Sequence, residues 1–281
     1  MADLTGRIAV VTGSSRGVGR GIAQALGEAG ATIYVTGRST EGAPTTDGLP
    51  GTIEGTARLA TEAGGHGIPV RCDHTDDADV EALFEQVKVE QNRLDVLVNN
   101  VWGGYEQYDG GEWQMPFWEL PLKRWHGMFV AGVRAHYTAS RFAAPLMVPH
   151  RRGLIVNISF GDQGKYLGHL LYDTSKTAID RLAVGMAREL RAHNVAAVAL
   201  YPGFVRTERV LAAYDAAPEA TIDLDGTESP LYIGRAIAAL AADANVMGKS
   251  GRILATGALA QEYDFTDIDG TQPPPFEIPD G

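Results

Sequence analysis

The sequence has 281 residues, is 44% hydrophobic and carries a formal net charge of −11 at pH 7. This apolar content is enough for a buried core, and the acidic excess argues against nucleic acid or an anionic membrane as a partner. Cys72 is the single cysteine, which excludes an internal disulfide. No apolar run is long enough to span a membrane, and residues 1–7 lack the apolar core of a signal peptide, so we expect a cytoplasmic protein. The seven histidines show no metal-binding spacing, and no metal site is predicted.

A glycine-rich turn over residues 12–19 follows the first predicted strand, residues 7–11. Apolar residues at three- and four-residue spacing then predict a helix. Strand, glycine turn and helix are the context of a dinucleotide-binding site. Gly13 permits the tight turn, whereas Gly17 and Gly19 let the backbone approach a pyrophosphate at the helix N-terminus. A plain surface turn is the alternative. The other cofactor contacts expected in this turn are Ser15, Arg16 and Val18.

The second predicted strand, residues 31–36, ends in Gly37, Arg38 and Ser39 rather than in an acidic residue. An acidic side chain there would bind the ribose 2′-hydroxyl of NAD(H), while an arginine accommodates the 2′-phosphate of NADP(H). Arg16 in the glycine turn can reach the same phosphate. Two guanidinium groups at one position favour NADP(H) over NAD(H), with Arg38 and Ser39 as predicted contacts. The alternative is that both arginines are solvated surface charges.

Further candidate residues lie in the middle of the chain. Asp73 stands at the carboxyl end of the third predicted strand, residues 67–72, where it either contacts adenine or stabilises a turn. Asn99, another predicted cofactor contact, closes the fourth strand, residues 94–98. The next segment, residues 101–122, is rich in aromatic residues and too irregular for a helix. Long loops of this kind are often binding loops, so we expect its aromatic side chains to line a substrate pocket; the alternative is that they cover the core.

Helices and strands alternate along the whole chain. The remaining predicted elements are helices at residues 52–63, 76–91, 123–147, 172–193 and 232–242 and strands at residues 153–159, 195–200 and 252–255. This alternation predicts an α/β fold in which a doubly wound parallel sheet lies between two helical layers, the Rossmann fold. We expect a single domain over residues 1–257, including a second substrate loop at about 206–230. A C-terminal arm is predicted over residues 258–281.

A tyrosine and a lysine four residues apart open the predicted helix 172–193. On a helix, positions i and i+4 lie on the same face, so the phenol of Tyr172 and the ammonium of Lys176 point into the same space. A fixed cation nearby favours the phenolate and lowers the pKa of a phenol from its usual value of about 10. The spacing therefore fits a tyrosine that exchanges a proton near neutral pH. The alternative is an ordinary helix start with two exposed side chains.

Taken in order, these motifs resemble the short-chain dehydrogenase/reductase family. The matching pieces are the glycine turn, Asp73, Asn99-Asn100, Ser159 on the fifth strand, Tyr172 with Lys176, and Pro202-Gly203 with Thr207. The resemblance covers roughly residues 5–257, and six motifs in order are a far more specific signal than any one of them. Within the family, residues 134–137, 146–149 and 267–270 resemble a subgroup with animal members.

The resemblance implies a role for each of these residues. Tyr172 is expected to be the general acid/base, and Lys176 to lower the pKa of the tyrosine and hold the nicotinamide ribose. Ser159 is expected to donate a hydrogen bond to the substrate oxygen. A turn after the sixth strand is expected to fix the carboxamide and the adjoining phosphate through Pro202, Gly203, Val205 and Thr207. The resemblance also implies a homo-oligomer, which we expect to be a tetramer.

Two positions depart from the family pattern. The family usually has an asparagine seven residues after a tryptophan like Trp125, and its backbone carbonyl holds a water in a proton relay to the lysine; here that place is Gly132. Because glycine keeps a carbonyl, we expect Gly132→Asn to leave the rate within about tenfold, unless substrate or a side chain fills the space. The family often has two serines where this chain has Ser159 and Phe160. The spacing to Tyr172 favours Ser159 as the acting serine, and a serine that only bonds to backbone is the alternative.

The sequence leaves two functions open. The first is an NADP(H)-dependent oxidoreductase that interconverts a carbonyl and an alcohol on a small substrate, expected to be apolar or aromatic. The second is a dinucleotide-binding redox sensor or scaffold with little turnover. The presence of both Tyr172 and Lys176 favours the first, because a protein that only binds a dinucleotide does not need both.

Overall fold

Short apolar runs form the strands of one parallel sheet. Because helices cover both faces of such a sheet, the inner strands are apolar throughout, and Ile8–Val11 is buried at every position. The strands are β1 (Ile8–Val11), β2 (Thr32–Gly37), β3 (His66–Arg71), β4 (Val96–Asn99), β5 (Gly153–Ile158), β6 (Val195–Tyr201) and β7 (Ile253–Ala255). The computed structural model describes residues 2–108, 111–161, 164–216, 224 and 226–277. Parts of the two predicted substrate loops and of the C-terminal arm therefore lie outside the described residues.

The strand order across the sheet is β3-β2-β1-β4-β5-β6-β7, and every neighbouring pair is parallel. The chain moves outward from β1 to β3 and then returns to β4, from which it moves outward in the opposite direction. In open sheets of this kind, ligands bind at the carboxyl ends of the strands beside the point of reversal, here between β1 and β4. The predicted doubly wound parallel sheet is confirmed.

Helices pack on both faces of this sheet. They are α1 (Gly17–Glu28), α2 (Ile53–Glu62), α3 (Asp77–Gln91), α4 (Lys123–Trp125), α5 (Ala135–Met147), α6 (Leu170–Leu190), α7 (Glu208–Ala216), α8 (Pro230–Ala242) and α9 (Thr256–Tyr263). Ile22 of α1 and Ile237 of α8 belong to the core on one face. Leu83 of α3 and Leu146 of α5 belong to the core on the other. In the part of the chain that the structure describes, no helix has the length and apolar character needed to cross a membrane.

The predicted helix 123–147 is interrupted. A π-helical segment, His126–Arg134, separates α4 from α5, and Ala131 leaves the helical conformation with φ −85° and ψ 17°. The carbonyl oxygen of Ala131 accepts the backbone N–H of Gly103 at 3.1 Å. The aromatic loop therefore docks on the helix at the point where the regular helical hydrogen bonding is disturbed.

The C-terminal arm begins with a helix that the sequence did not predict. Leu259 of α9 is 2% exposed and belongs to the core, so the domain boundary predicted at residue 257 lies inside a helix. Beyond α9 the chain packs back on the domain: Tyr232 Oη donates to the carbonyl of Pro273 at 3.0 Å. A Cβ added to Gly257 would lie 2.4 Å from the backbone of Pro274, so the two backbones approach closely.

Candidate active site

A cavity of about 970 Å³ lies at the carboxyl ends of the strands. The glycine turn after β1 and Arg38 after β2 line one part of it, and Ser159 after β5 lines another together with Tyr172 and Lys176 of α6. Since β1 and β4 lie between β2 and β5, these two parts are separated by more than the width of one strand pair. The cavity is therefore elongated across the point at which the strand order reverses.

The glycine turn has the geometry of an anion-binding site. Gly13 and Gly17 have positive φ angles of 63° and 54°, which glycine adopts without strain. A Cβ on Gly19 would lie 2.5 Å from the carbonyl oxygen of Gly13, so only glycine lets α1 start this close to β1. The N–H of Gly17 donates to a carboxylate oxygen of Glu208 at 2.8 Å. A carboxylate oxygen thus lies at the N-terminus of α1, a position that favours negatively charged groups.

Tyr172 and Lys176 lie together in the first two turns of α6. The ring nitrogen Nδ1 of His169, the N-cap residue, accepts the N–H of Tyr172 at 3.2 Å. Tyr172 is 8% exposed and Lys176 is 7% exposed, and both side chains line the cavity. Lys176 Nζ lies 5.4 Å from the centre of the Tyr172 ring and 3.7 Å from the centre of the Trp102 ring. The structure therefore brings the two side chains to one face, as the spacing predicts.

Burial shifts the pKa of both groups toward their neutral forms. It lowers the pKa of Lys176 to about 7, against the opposing effect of the Asp180 carboxylate one turn further along α6. Burial, and next the neighbouring Tyr105 phenol, raise the pKa of Tyr172 well above its usual value. The sequence predicted that Lys176 would lower the pKa of this tyrosine. In this structure the pKa of Tyr172 is raised because the loss of water dominates, and the effect of Lys176 on it stays a prediction.

Ser159 lies at the end of β5 and is fully buried. Its Oγ donates to the backbone carbonyl of Lys176 at 3.1 Å, which is the backbone bond considered as the alternative to a catalytic role. The same side chain lines the cavity beside Tyr172 and Lys176. Phe160 follows it, with its ring centre 6.4 Å from that of Tyr172. The catalytic role of Ser159 stays a prediction, and the geometry gives it access to the cavity.

The family model for short chain dehydrogenase matches residues 7–216. This chain belongs to the short-chain dehydrogenase family. It is 41% identical over 279 residues to Dehydrogenase/reductase SDR family member 1 of Mus musculus, which covers 96% of this chain and 86% of the relative. The chain is accordingly an NAD(P)-dependent short-chain dehydrogenase/reductase.

Solved structures show the same fold. A putative dehydrogenase from Xanthomonas campestris matches with a TM-score of 0.81 at 24% identity, over 99% of this chain and 98% of that one. A metagenomic short-chain oxidoreductase in complex with NADP matches with a TM-score of 0.66 at 27% identity, over 90% of this chain and 96% of that one. The first similarity supports the fold alone, and the second provides an example of a related chain with bound NADP.

Arg38 of this short-chain dehydrogenase lies between two carboxylates. Its guanidinium forms an ion pair with Glu106 of the aromatic loop, and another nitrogen lies 4.0 Å from an oxygen of Asp73. Both pairs are partly exposed to solvent, so each contributes little stability. A phosphate group that approaches Arg38 therefore competes with two weakly held carboxylates.

Arg16 adjoins the same region and organises the loop after β2. Its guanidinium donates to Ser39 Oγ at 2.8 Å. It also donates to the backbone carbonyls of Thr46, Pro50 and Gly51. Arg16, Arg38 and Ser39 all line the cavity, so the predicted 2′-phosphate contacts lie together.

Two other predicted cofactor contacts are engaged by the protein itself. Asn99 is fully buried as the last residue of β4, and its Nδ2 donates to Ser140 Oγ at 2.9 Å and Asn157 Oδ1 at 2.8 Å. Asn99 does not line the cavity, whereas Asn100 does, because the strand continues one residue further than predicted. The side chain of Asn99 is therefore turned to the sheet rather than to the cavity, and its predicted cofactor contact stays a prediction. Asp73 lines the cavity and also accepts the N–H of Thr75 at 3.0 Å, which is the turn role considered as its alternative.

The turn after β6 also borders the cavity, and its Thr207 lies next to Gly17 of the glycine turn. Thr207 Oγ1 accepts the N–H of Val210 at 3.4 Å at the start of α7, and Val205 forms an isolated bridge with Glu228. The predicted contacts of this turn and of the glycine turn that line the cavity are Gly13, Ser15, Gly17, Val18, Pro202, Gly203, Val205 and Thr207.

The first part of the aromatic loop surrounds the phenol of Tyr172. The ring centres of Trp102, Tyr105 and Trp113 lie 5.5, 6.4 and 5.1 Å from that of Tyr172. All three line the cavity, as predicted for a substrate pocket. The later Trp118, at 72% exposure, lies on the surface instead.

The site also contains residues that no sequence motif indicates. Arg124 and Glu112 form a buried ion pair, and Arg124 also donates to the carbonyls of residues 104, 106 and 107, which fixes the aromatic loop. Phe276 in the arm lines the cavity, with its ring centre 5.5 Å from that of Phe160. A single acid, a single base and a distant phenylalanine form no motif, so no sequence signal marks them.

Proposed function

We propose that this chain interconverts a carbonyl and an alcohol with NADP(H), and that Tyr172 is the general acid/base. The observation that carries the proposal is the convergence of Tyr172, Lys176 and Ser159 on a cavity that also reaches the glycine turn. In reduction, Tyr172 gives its phenolic proton to the carbonyl oxygen while a hydride reaches the carbon; in oxidation, the phenolate removes the hydroxyl proton. The nicotinamide supplies or accepts that hydride.

The two neighbouring residues assist this proton transfer. Lys176 holds the nicotinamide ribose. Its ammonium also stabilises the phenolate form of Tyr172 that remains after the phenolic proton has been given to the substrate. Ser159 donates to the substrate oxygen as negative charge develops there, which requires its hydroxyl to turn from the carbonyl of Lys176.

The preference for NADP(H) is supported by the end of β2. Arg16, Arg38 and Ser39 line the cavity there, and no acidic residue stands at the ribose position of the strand end. The related oxidoreductase with bound NADP is consistent with this preference. Arginine suits a 2′-phosphate through paired, charge-assisted hydrogen bonds.

The proposed substrate is apolar or aromatic. The rings around Tyr172 provide a largely apolar wall, and Ser159, Tyr172 and Lys176 bring polar atoms to the same cavity. A flat hydrophobic group beside the carbonyl would stack on these rings.

A homotetramer is proposed on the resemblance and on the surface of the long helical segment. Trp125 and Tyr137 on that segment are 53% and 50% exposed, which is consistent with a covered face in an assembly. A sedimentation measurement that gives a monomer of about 30 kDa would contradict it. The cytoplasmic location stays a prediction.

The function is tested by turnover of aromatic and aliphatic ketones and aldehydes with NADPH and with NADH. Tyr172→Phe is expected to lower kcat at least about a hundredfold while the Kd of NADPH is kept, since only the proton-transferring hydroxyl is lost. Tyr137→Phe, which removes a hydroxyl from a 50% exposed tyrosine outside the cavity, is the control. Equal rates for Tyr172→Phe and the parent would refute the acid/base role. NADPH binding without turnover of any compound would instead support the sensor or scaffold.

A further inference from the structure

The indole of Trp102 occupies a slot between two glycines. A Cβ added to Gly132 would lie 2.9 Å from Cζ3 and 3.0 Å from Cε3 of the ring. A Cβ added to Gly104 would lie 2.6 Å from Cε2 and Cζ2. Neither glycine has a positive φ angle, so backbone freedom is not the reason for glycine at these positions. Glycine is required at both positions because the Trp102 indole occupies the space that a Cβ would need.

The face of this ring carries the ammonium of Lys176, 3.7 Å from the ring centre. The edge of the Tyr172 ring meets it at 5.5 Å and 87°. Among the described residues, no carboxylate lies within 4.0 Å of Lys176 Nζ. An ammonium deprived of water gains substantially from such a contact with an indole face. The Trp102 indole is therefore closer to this charge than the Tyr172 ring is, and no described carboxylate forms an ion pair with it.

Two titratable groups also interact electrostatically with Lys176. The Asp180 carboxylate, from the same helix, favours the charged lysine through space. His136 of α5 is neutral near pH 7, because burial lowers its pKa to about 3. Its Nε2–H donates to the carbonyl of Val101, next to Trp102 in the chain, and this bond fixes the start of the loop.

We propose that Trp102 is a positioning residue whose indole face holds the Lys176 ammonium beside Tyr172, in a slot that Gly104 and Gly132 keep free. The inference rests on the proposed function, in which Lys176 stabilises the phenolate. It also changes the expectation for Gly132→Asn. The backbone carbonyl at residue 132 remains in the variant. The added side chain, however, must displace the Trp102 indole, whose face contacts the Lys176 ammonium.

The first test compares Trp102→Leu with Trp118→Leu, the same change at an indole that is 72% exposed and outside the cavity. The pKa of Lys176 is measured by competitive labelling with an amine reagent and peptide mass spectrometry. Trp102→Leu is expected to lower it by about one pH unit and to lower kcat at least about tenfold, because the ammonium loses its partner. Trp118→Leu is expected to change neither.

The second test displaces the ring without removing it. Gly132→Asn is expected to lower the pKa of Lys176 and to lower kcat more than about tenfold, whereas Gly185→Asn, in a helix position with nothing within 4 Å of an added Cβ, changes neither. In a Trp102→Ala background the further effect of Gly132→Asn should be small, because the slot is empty.

The outcomes separate this inference from the proposed function. An unchanged Lys176 pKa in Trp102→Leu, or in Gly132→Asn if the first variant does not fold, would overturn the positioning role. A Lys176 pKa that falls as expected in a protein without turnover would support the contact and refute the enzymatic function instead.

Discussion

Replacement of Glu228 by glutamine is expected to stabilise the fold, and increasingly so as the pH rises. Glu228 is 1% exposed and lies against the Pro202–Gly203 turn, where a Cβ on Gly203 would be 2.8 Å from its Oε1. Neither carboxyl oxygen has a hydrogen-bond partner of ordinary geometry among the described residues. Burial raises the pKa of this carboxyl to about 8; the nearby N–H of Gly203 offsets part of the rise, and Asp267 adds to it.

The magnitude follows from the protons bound by the two states. The carboxyl of the unfolded chain titrates near 4.5, so between pH 4.5 and about 8 the folded protein holds a proton that the unfolded chain has lost. This difference costs about 1.4 kcal/mol per pH unit, or about 3 kcal/mol of stability between pH 4.5 and pH 7. Below pH 4.5 both states are protonated and the penalty is absent. Glutamine does not titrate, so the variant does not lose stability in this way as the pH rises.

The assay is urea unfolding of parent and variant at several pH values between about 5 and 8. The free energy of unfolding of Glu228→Gln minus that of the parent is expected to increase by roughly 1 kcal/mol or more per pH unit over this range. Glu62→Gln, at an exposed position of α2, should give a small difference without this trend. A constant difference for Glu228→Gln would contradict the reasoning, since an effect of shape or lost hydrogen bonding does not vary with pH.

Two further predictions concern the cofactor. Arg38→Asp is expected to change the ratio of the NADPH and NADH dissociation constants at least about tenfold in favour of NADH, because a repulsive carboxylate replaces a phosphate partner; an unchanged ratio would show that Arg38 does not reach the phosphate. Glu208→Gln is expected to lower the Kd of NADPH by about three- to tenfold, because it weakens the carboxylate contact with the N–H of Gly17 that the pyrophosphate must displace. An equal or higher Kd of NADPH in this variant would refute the idea that the Glu208 carboxylate competes with the pyrophosphate for the N–H of Gly17.

The fold was largely accessible from the sequence because local patterns determine it. Fully apolar runs such as Ile8–Val11 predict buried parallel strands, and the glycine turn predicts the start of α1. The interruption of the helix 123–147 was not predicted as a π-helical segment. At this interruption the carbonyl of Ala131 accepts a hydrogen bond from the N–H of Gly103, which belongs to another part of the chain. The spacing of apolar residues within the helix cannot predict such a contact.

The positions of Tyr172 and Lys176 were accessible for the same reason, since a four-residue spacing on a helix fixes their common face. Their charge states were not, because these depend on how completely the aromatic loop covers them. The loop in turn depends on the buried pair of Glu112 and Arg124. Each of these two residues, considered alone, is an ordinary surface charge, and only the fold places them together away from water.

Trp102 and Gly132 illustrate why the remaining part of the site could not be inferred from sequence. A tryptophan in a loop and a glycine in a helix each have an ordinary explanation, and 30 positions separate them. In the fold, the absence of a Cβ at residue 132 and the size of the indole are complementary, because the ring lies 2.9 Å from where that Cβ would be. A comparison of single positions therefore interprets Gly132 as a missing asparagine. The three-dimensional structure shows that the space of the asparagine side chain is filled by another residue, which contacts the lysine directly.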